Sequence, residues 1–498
     1  MKTSTMEPQW WFTSPKEKIP DCGGPIKLDQ IPERIYISSG IFIGTLYKKI
    51  PRGLFIDGKR LFHYNERKKG CENMEMDKAT QDLLKDLDEI VSINSVSIES
   101  DDPQAPFGKG AAEALEKTLA LCEKYGMKAK NCNHMVGYAD YGDKGDLIGI
   151  LCHLDVVPAG DGWSSDPFKV TIKGDKIYGR GVTDDKGPAM AAIHAMKELI
   201  EEKVPFNHRV RLIFGQAEET GDWKDMDYYL AHEDHVDYGF TPDAEFPAIY
   251  CEKGIANLKI SFPKDQTAFD SIQGGNATNM VADSCKAQLK NGKTLKAQGK
   301  SAHGSTPWDG DNAIVKLFKE VEEEDCLLTR FFQDCVKGEN NGKSLGGYWS
   351  DEESGEISYN YGIIESDQDQ IRLYVDIRYP ITGKIQDIIQ NIEKVLEEKG
   401  LGAVKIDLIR DEAFVHLDQE GPVMTKLLEA YREKTGDQSP AKVIGGGTYA
   451  RAMDGIVAFG PMLPGREATE HMPDENILIE DLVLAKEIYK SAIQKLVD

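Results

Sequence analysis

Five stretches of this 498-residue chain end in groups that can bind a metal ion or move a proton. His153 follows the apolar run Leu147 to Cys152, Asp184 follows Ile177 to Val182, and Glu218-Glu219 follow Val210 to Gly215. Asp243 follows Tyr238-Gly239-Phe240, and His471 lies in the loop beyond Ile456 to Leu463. Apolar runs of this length read as buried strands. In an open α/β sheet, ligands bind in the crevice outside the carboxyl ends of the strands, so these residues could converge on one crevice. Two histidines with carboxylates make a borderline-hard donor set, suited to Zn2+, Mn2+ or Co2+ rather than to a thiolate-rich structural site. Two such cations about 3.5–4 Å apart can share a water, lower its pKa toward neutrality and polarise a scissile carbonyl. Singly, each group has an ordinary structural reading. A histidine after a strand is usually packed core, Asp184-Asp185 suits a helix N-cap, and Glu218-Glu219 suits a solvated corner. Taken singly, none of them persuades.

A sheet must hold these groups. Beyond Asp77, a capped amphipathic helix carries Leu83, Leu84, Leu87, Ile90 and Val91 at helical spacing. Short apolar runs then alternate with helical stretches. Leu147 to Cys152, Arg209 to Gly215 and Gly455 to Gly460 read as strands, and Lys186 to Lys203 and Pro422 to Lys434 as helices. That alternation predicts an α/β layer structure with a mostly parallel sheet. Residues 253–414 have a different texture. In Ile371-Arg-Leu-Tyr-Val-Asp-Ile-Arg378 the odd positions are apolar and the even ones polar or Tyr, so one sheet face is covered and the other open. With helices near 311–324 and 384–398, this reads as a smaller inserted α+β domain.

Composition bounds the function. Lys and Arg number 60 against 84 Asp and Glu, a formal charge of -24, so phosphate backbones and anionic lipid are repelled and neither nucleic acid nor membrane is an expected partner. Mean hydropathy is -0.44, and no stretch approaches the roughly 20 apolar residues that cross a bilayer. The nine cysteines are scattered, odd in number and without a Cys-x-x-Cys pair, which reads as reduced thiols in a cytoplasm. Residues 1–73 carry a net charge of +5, leaving -29 on the other 425. We expect this first segment to lie outside the native protein, because back-translated Lys69-Gly70 gives a plausible ribosome-binding sequence ahead of Met74. The alternative is a small β-rich appendage.

The residues around the five groups resemble a known family. His153-Leu-Asp155-Val-Val-Pro158, Gly179-Arg-Gly-Val-Thr-Asp184-Asp185-Lys-Gly187, Glu218-Glu219-Thr-Gly221, Thr241-Pro-Asp243-Ala-Glu-Phe-Pro247 and His471-Met-Pro-Asp-Glu475 together look like the M20 metallopeptidases, and most closely their PepV-like dipeptidases, relatives of the Xaa-His dipeptidases and carnosinases. The resemblance spans about residues 77–498. It implies a zinc-peptidase catalytic domain in two segments, 74–252 and 415–498, with a lid at 253–414. It implies two divalent ions, zinc first and manganese or cobalt as alternatives. Asp184 would bridge them, with His153 and Asp243 on one and Glu219 and His471 on the other. Asp155 would orient His153, and the Asp184-Asp185 peptide would be cis. Glu218 would be the general base for a metal-bound water. His303, in Ser301-Ala-His303-Gly-Ser305, would stabilise the oxyanion from the lid. Arg378 would bind the substrate carboxylate, with Asn279 and Gly446 as further substrate contacts. The implied reaction is hydrolysis of dipeptides to two amino acids by a monomer. N-acyl amino acid deacylation, of the acetylornithine or succinyl-diaminopimelate type, is the alternative on the same scaffold. A third class is a catalytically silent binding protein.

Other spellings carry nothing. Gly342-Lys343-Ser344 lacks the P-loop spacing and a leading strand, and its match to Gly-x-Ser-x-Gly lies in a polar loop. His232-Glu-Asp-His235 is one residue short of the zinc helix His-Glu-x-x-His and reads as an exposed helix end. Cys152, neighbouring His153 at a strand end, should face the core on the opposite side.

Overall fold

The structure, a computed structural model, describes residues 76–319, 321 and 325–498, so the expectation for residues 1–73 lies outside the described residues. Asp77 caps the first helix, its carboxylate accepting from the Thr80 amide at 2.8 Å. Helix Lys78–Val91 then buries Leu83, Leu84, Leu87, Ile90 and Val91, the stripe its spacing predicts.

Two large sheets follow, their strands numbered here in chain order. The first takes β1 (Lys128–Cys132), β2 (Val136–Tyr141), β3 (Leu147–His153), β4 (Arg209–Gly215), β5 (Tyr238–Thr241) and β6 (Ile249–Glu252). The second takes β7 (Gly254–Pro263), β8 (Phe269–Gly274), β9 (Ser284–Leu289), β10 (Thr294–Gln298), β11 (Ser358–Ser366), β12 (Gln370–Tyr379) and β13 (Lys405–Glu412). The chain then returns to the first sheet as β14 (Val415–His416), β15 (Lys442–Ile444) and β16 (Ile456–Ala458).

Strand order in the first sheet is β1-β2-β4-β3-β5-β16-β6-β14, with β15 also on β6. Its centre, β4-β3-β5-β16, is parallel, as the alternation predicts. The flanks are mostly antiparallel: β1, β2 and β4 run alternately, and β6 opposes both β16 and β14, while the short β15 lies parallel to β6. The short connection between β1 and β2 forces that pair to reverse, whereas parallel neighbours need the longer crossovers found at the centre. All seven residues of β3 are buried, as a strand covered on both faces requires. Ile148, Ile150 and Cys152 join the core beneath helices Lys186–Glu201, Pro422–Thr435 and Ile479–Val497. Leu147 and Leu151 point the other way, toward Met226, Tyr229 and Tyr449. Cys152 is thus core, and His153 shares the opposite face with Tyr449, the two rings edge-on at 6.1 Å. Ile177 to Val182 is only partly strand, because Lys176–Tyr178 pairs and the chain then turns.

The second sheet, ordered β10-β9-β8-β11-β12-β7-β13, is antiparallel throughout. Ile371, Leu373, Val375 and Ile377 are buried in its own core together with helix Ile385–Glu398. Arg372 and Tyr374 are partly open, as alternation predicts, but Asp376 and Arg378 are buried. The chain passes between sheets at Lys253 and again at Ala413-Phe414. Arg451 reaches both crossings. Its Nε donates to Glu252 at 2.7 Å, Nη1 to the Ala413 carbonyl at 2.6 Å, and Nη2 to the Lys253 carbonyl. Gly254, at the first crossing, has no room for a side chain, since a Cβ there would stand 2.1 Å from the Tyr379 ring.

Candidate metal centre

The parallel core brings the chemistry to one edge. His153 ends β3 opposite Gly215, which ends β4, and Thr241 ends β5 opposite Ala458 of β16. Because these strands run the same way, the residues just beyond each end enter one crevice. Glu218-Glu219 follow β4, Asp243 follows β5, and His471 lies in the long loop after β16. Asp184 arrives just ahead of helix Lys186–Glu201. Asp185 occupies the N-cap position without capping. Its carboxylate instead accepts from the His153 amide at 3.1 Å. The Asp184-Asp185 peptide is cis.

The donor atoms form two adjacent groups, His153 with Glu218 and Asp243, and Asp184 with Glu219 and His471, each mutually within 4.8 Å. Asp184 lies between them. One carboxylate oxygen is 2.9 Å from His153 Nε2, and the other is 2.9 Å from His471 Nε2. His471 Nε2 also lies 3.0 Å from Glu219, and His153 Nε2 lies 3.8 Å from Asp243. His471 adopts φ 62°, a left-handed conformation that costs a non-glycine residue about 1–2 kcal/mol and must be held by its surroundings.

Asp155 supports the group from behind. It is fully buried, and its carboxylate accepts from the amides of Glu218 at 3.3 Å and Glu219 at 3.0 Å. His153 Nδ1 faces the Asp155 carbonyl at 3.1 Å and its carboxylate at 3.4 Å, which leaves Nε2 turned toward Asp184. Sequence reasoning missed Asp225. This buried carboxylate accepts from the amides of Gln216 at 2.6 Å and Ala217 at 3.0 Å and from the Tyr449 hydroxyl at 2.9 Å, fixing the turn that presents Glu218. No local signal distinguishes it from a solvated aspartate at a helix start.

Electrostatics shows what the cluster wants. Burial, and then the Asp184 charge, pushes Asp243 up to about 7. Burial, partly offset by His153, combines with Asp243, Glu219 and Asp184 to push Glu218 well above the ordinary carboxylate range. Glu219 is raised by burial and by Asp184. Asp184 is driven the other way, because hydrogen bonds from both histidines overcome its burial. Against its own desolvation, His471 is pushed up to about 11 by Asp184 and Glu219. Four carboxylates drawn together out of water, facing two imidazoles, are a site short of positive charge. Metal cations would supply that charge, and the oxygen and nitrogen donors suit them.

The second sheet contributes the facing wall. His303 Nδ1 accepts from the Ser305 amide at 3.3 Å and meets Ser305 Oγ at 2.7 Å, so the ring proton sits on Nε2, which has no hydrogen-bond partner among the described residues. His303 is exposed to solvent on one side. Partial desolvation there, then the Arg378 charge, lowers it to about 4 despite Asp376, and the His471 charge acts in the same direction. Arg378 donates from Nε to Asp376 at 2.9 Å and from Nη1 to the Gly445 carbonyl at 2.9 Å, and its Nη2 has no partner among the described residues. Asn279 is exposed beside the histidine loop, its carbonyl accepting from the Gly304 amide at 2.6 Å. Gly446 lies in the glycine loop one residue beyond the Arg378 contact, and its carbonyl accepts from Arg451 at 3.4 Å. His232 ends helix Lys224–His232 away from this group.

Comparison with known proteins agrees. The model of "Peptidase family M20/M25/M40" matches residues 149–495. A Bacillus subtilis (strain 168) protein named "Putative dipeptidase YtjP" is 36% identical over 464 residues, covering 85% of this chain and 99% of its own. A Staphylococcus haemolyticus protein named "Putative dipeptidase SH1171" is 34% identical over 457 residues, covering 83% and 97%. Human carnosine dipeptidase 1 shares the fold at a TM-score of 0.55 and 14% identity, covering 84% of this chain and 96% of its own. The M20 metallo-carboxypeptidase Sso-CP2 of Sulfolobus solfataricus does so at 0.53 and 19%, covering 85% and 100%. With five ordered motifs gathered on one sheet edge and a family match across most of its length, the chain belongs to peptidase family M20/M25/M40.

Proposed function

We propose that this chain is a dipeptidase that uses two divalent cations, zinc first among them. The observation that carries the reading is Asp184, whose two carboxylate oxygens each face a different imidazole between two groups of acidic donors. His153, Asp184 and Asp243 would hold one ion, and Asp184, Glu219 and His471 the other. Bound there, the ions would polarise the scissile carbonyl and acidify water enough for it to ionise near neutral pH.

The chain's own groups do the rest. Glu218, beside His153 and Asp243, accepts the proton of the attacking water, then passes it to the departing amine nitrogen. Its position is held by Asp155 and Asp225 through the backbone of residues 216–219. His303, neutral and protonated on Nε2, donates to the carbonyl oxygen as negative charge develops there. Arg378 offers its free Nη2 and the outer N–H of Nη1 to the substrate carboxylate, and Asp376 fixes the plane of the guanidinium. Asn279 and Gly446 line the substrate's path beside them.

His303 lies within electrostatic reach of His471 of the same chain, which supports a site completed by a single subunit. The seven described cysteines are all free, which supports a reducing, cytoplasmic setting. Among the described residues no helix is long and apolar enough to cross a membrane.

The test is a panel of dipeptides assayed beside N-acetylornithine and N-succinyl-diaminopimelate with the zinc-loaded chain. Turnover of dipeptides with release of both amino acids is expected. Turnover of the acyl compounds alone would transfer the site to the deacylases, and a zinc-replete chain inert to every substrate would make it a binding protein.

A further inference from the structure

Glu475 closes the last of the five motifs, and nothing in the proposed chemistry uses it. It is a glutamate with no exposed surface, and its carboxylate is saturated. Oε1 accepts from the amides of Gly181 at 3.1 Å, Thr183 at 2.9 Å and Asp184 at 3.3 Å, and Oε2 from Gly181 at 3.1 Å and Arg180 Nη1 at 2.7 Å. The loop bearing Asp184 is therefore wrapped around a side chain from the loop bearing His471. The attachment is reinforced on both sides. The Glu475 carbonyl accepts from the Gly179 amide at 3.2 Å, the Thr183 hydroxyl donates to the Asn476 carbonyl at 3.2 Å, and Asn476 pairs with Tyr178. Thr469 closes the His471 loop on itself, donating to the Asn476 carbonyl and accepting from the Asn476 amide, each at 3.1 Å.

This arrangement answers a mechanical problem. His471 follows a long connection after β16 and sits in a strained left-handed conformation, while Asp184 lies in a turn outside the parallel sheet. No shared strand register sets the distance between them, unlike His153 and the residues after β4 and β5. A buried carboxylate accepting several charge-assisted bonds is rigid enough to set it.

We propose that Glu475 is a positioning residue for the cation site that contains His471, Glu219 and Asp184, locking the Asp184 loop to the His471 loop. This rests on the two-cation reading above. Arg180 serves Glu475 as counter-charge but does not itself hold the loop.

Cation titration by calorimetry tests this without reference to peptide hydrolysis, using Zn2+ added to chelator-stripped full-length chain, with the Co2+ visible spectrum as a second signal. In Glu475→Gln, whichever way the new amide turns, its NH2 meets an N–H donor, so the loop must shift. One of the two binding steps should weaken by about 10–100-fold, the usual effect of losing a residue that orients metal ligands, and the Co2+ spectrum should change. Arg180→Gln keeps all the amide contacts, so it should melt earlier yet bind both ions within about threefold of wild type. If Glu475→Gln does not fold, the double variant Glu475→Gln with Arg180→Gln takes its place. There the oxygen of the amide introduced at position 475 can face the backbone N–H groups, and its NH2 can donate to the amide oxygen introduced at position 180. Both ions should then bind within about threefold of the Arg180→Gln variant. Wild-type binding by Glu475→Gln, an equal loss in Arg180→Gln, or a tenfold loss in the double variant relative to Arg180→Gln overturns the inference. Failure of the wild-type chain to take up two ions would instead remove the proposed function on which it stands.

Discussion

Glu218→Gln separates a proton carrier from a ligand at a position where geometry permits either. The Glu218 carboxylate lies within 4.8 Å of the donor atoms of His153 and Asp243, close enough to reach a cation held between them. The substitution keeps the size of the side chain and removes its charge and its basicity. At an effective dielectric of about 20, two like charges about 4.8 Å apart repel by about 3 kcal/mol, equivalent to roughly two pKa units on the neighbour. Repulsion of that size helps to hold Glu218 protonated in the metal-free chain, so the substitution removes little charge there and should leave the chelated protein's stability close to wild type. If Glu218 is the general base, kcat should fall by about 10²–10⁴-fold, a barrier increase of about 2.7–5.5 kcal/mol. Two zinc ions per chain should remain. Elemental analysis of dialysed protein, a thermal melt of the chelated form and steady-state kinetics on one dipeptide give the three readouts. A stoichiometry of one ion would make Glu218 a ligand, and a loss of kcat below tenfold would remove it from the chemistry.

Three further outcomes are expected. In the chelated chain Asp243 titrates near 7 against 3.8 when unfolded, so the fold binds the extra proton and stability from this group is lost as pH rises from 3.8 through 7. Melts of chelated protein at pH 5.5 and 7.5 should show that decline, and zinc should abolish it; a flat profile in chelator would contradict the crowding of the carboxylates. His303 is shifted the opposite way, from 6.5 to about 4, so the unfolded chain takes the proton first and stability falls as pH drops through that window. Differential melts should show a shallower decline in His303→Gln, and identical slopes would refute the desolvated, cation-flanked setting. Arg378→Met should raise KM by about 10–150-fold through the loss of charged hydrogen bonds of about 1.5–3 kcal/mol, with Arg378→Lys rescuing little; an unchanged KM would place the carboxylate elsewhere.

How much of this was legible in the sequence depended on whether a feature was local. The helix Pro422–Thr435 and the strand Arg209–Gly215 could be read from their apolar residues, because the helix buries one stripe and the strand is buried along nearly its whole length. The parallel centre of the first sheet could be read from the strand-helix alternation, but its antiparallel flanks could not, since pairing direction there depends on short connections and on where the chain re-enters after the second sheet. The five motifs pointed to the donor groups that the structure gathers, because they lie just beyond strand ends or in the loops that follow. Asp225 and Asp376 were invisible for the complementary reason. Each acts through a neighbour's backbone or guanidinium, and in sequence a buried supporting aspartate looks like a solvated one. The alternation in Ile371 to Arg378 predicted an open face, yet Asp376 and Arg378 are buried because the glycine loop at 445 closes over the end of that strand.

Arg451 gives the two halves of the molecule a common joint. One guanidinium is bonded to both places where the chain passes between the sheets and also to the Gly446 carbonyl, so neither crossing can move independently of the glycine loop. Swinging the histidine wall outward must pull on those three carbonyls together. Any such movement would also disturb the glycine loop whose Gly445 carbonyl Arg378 holds.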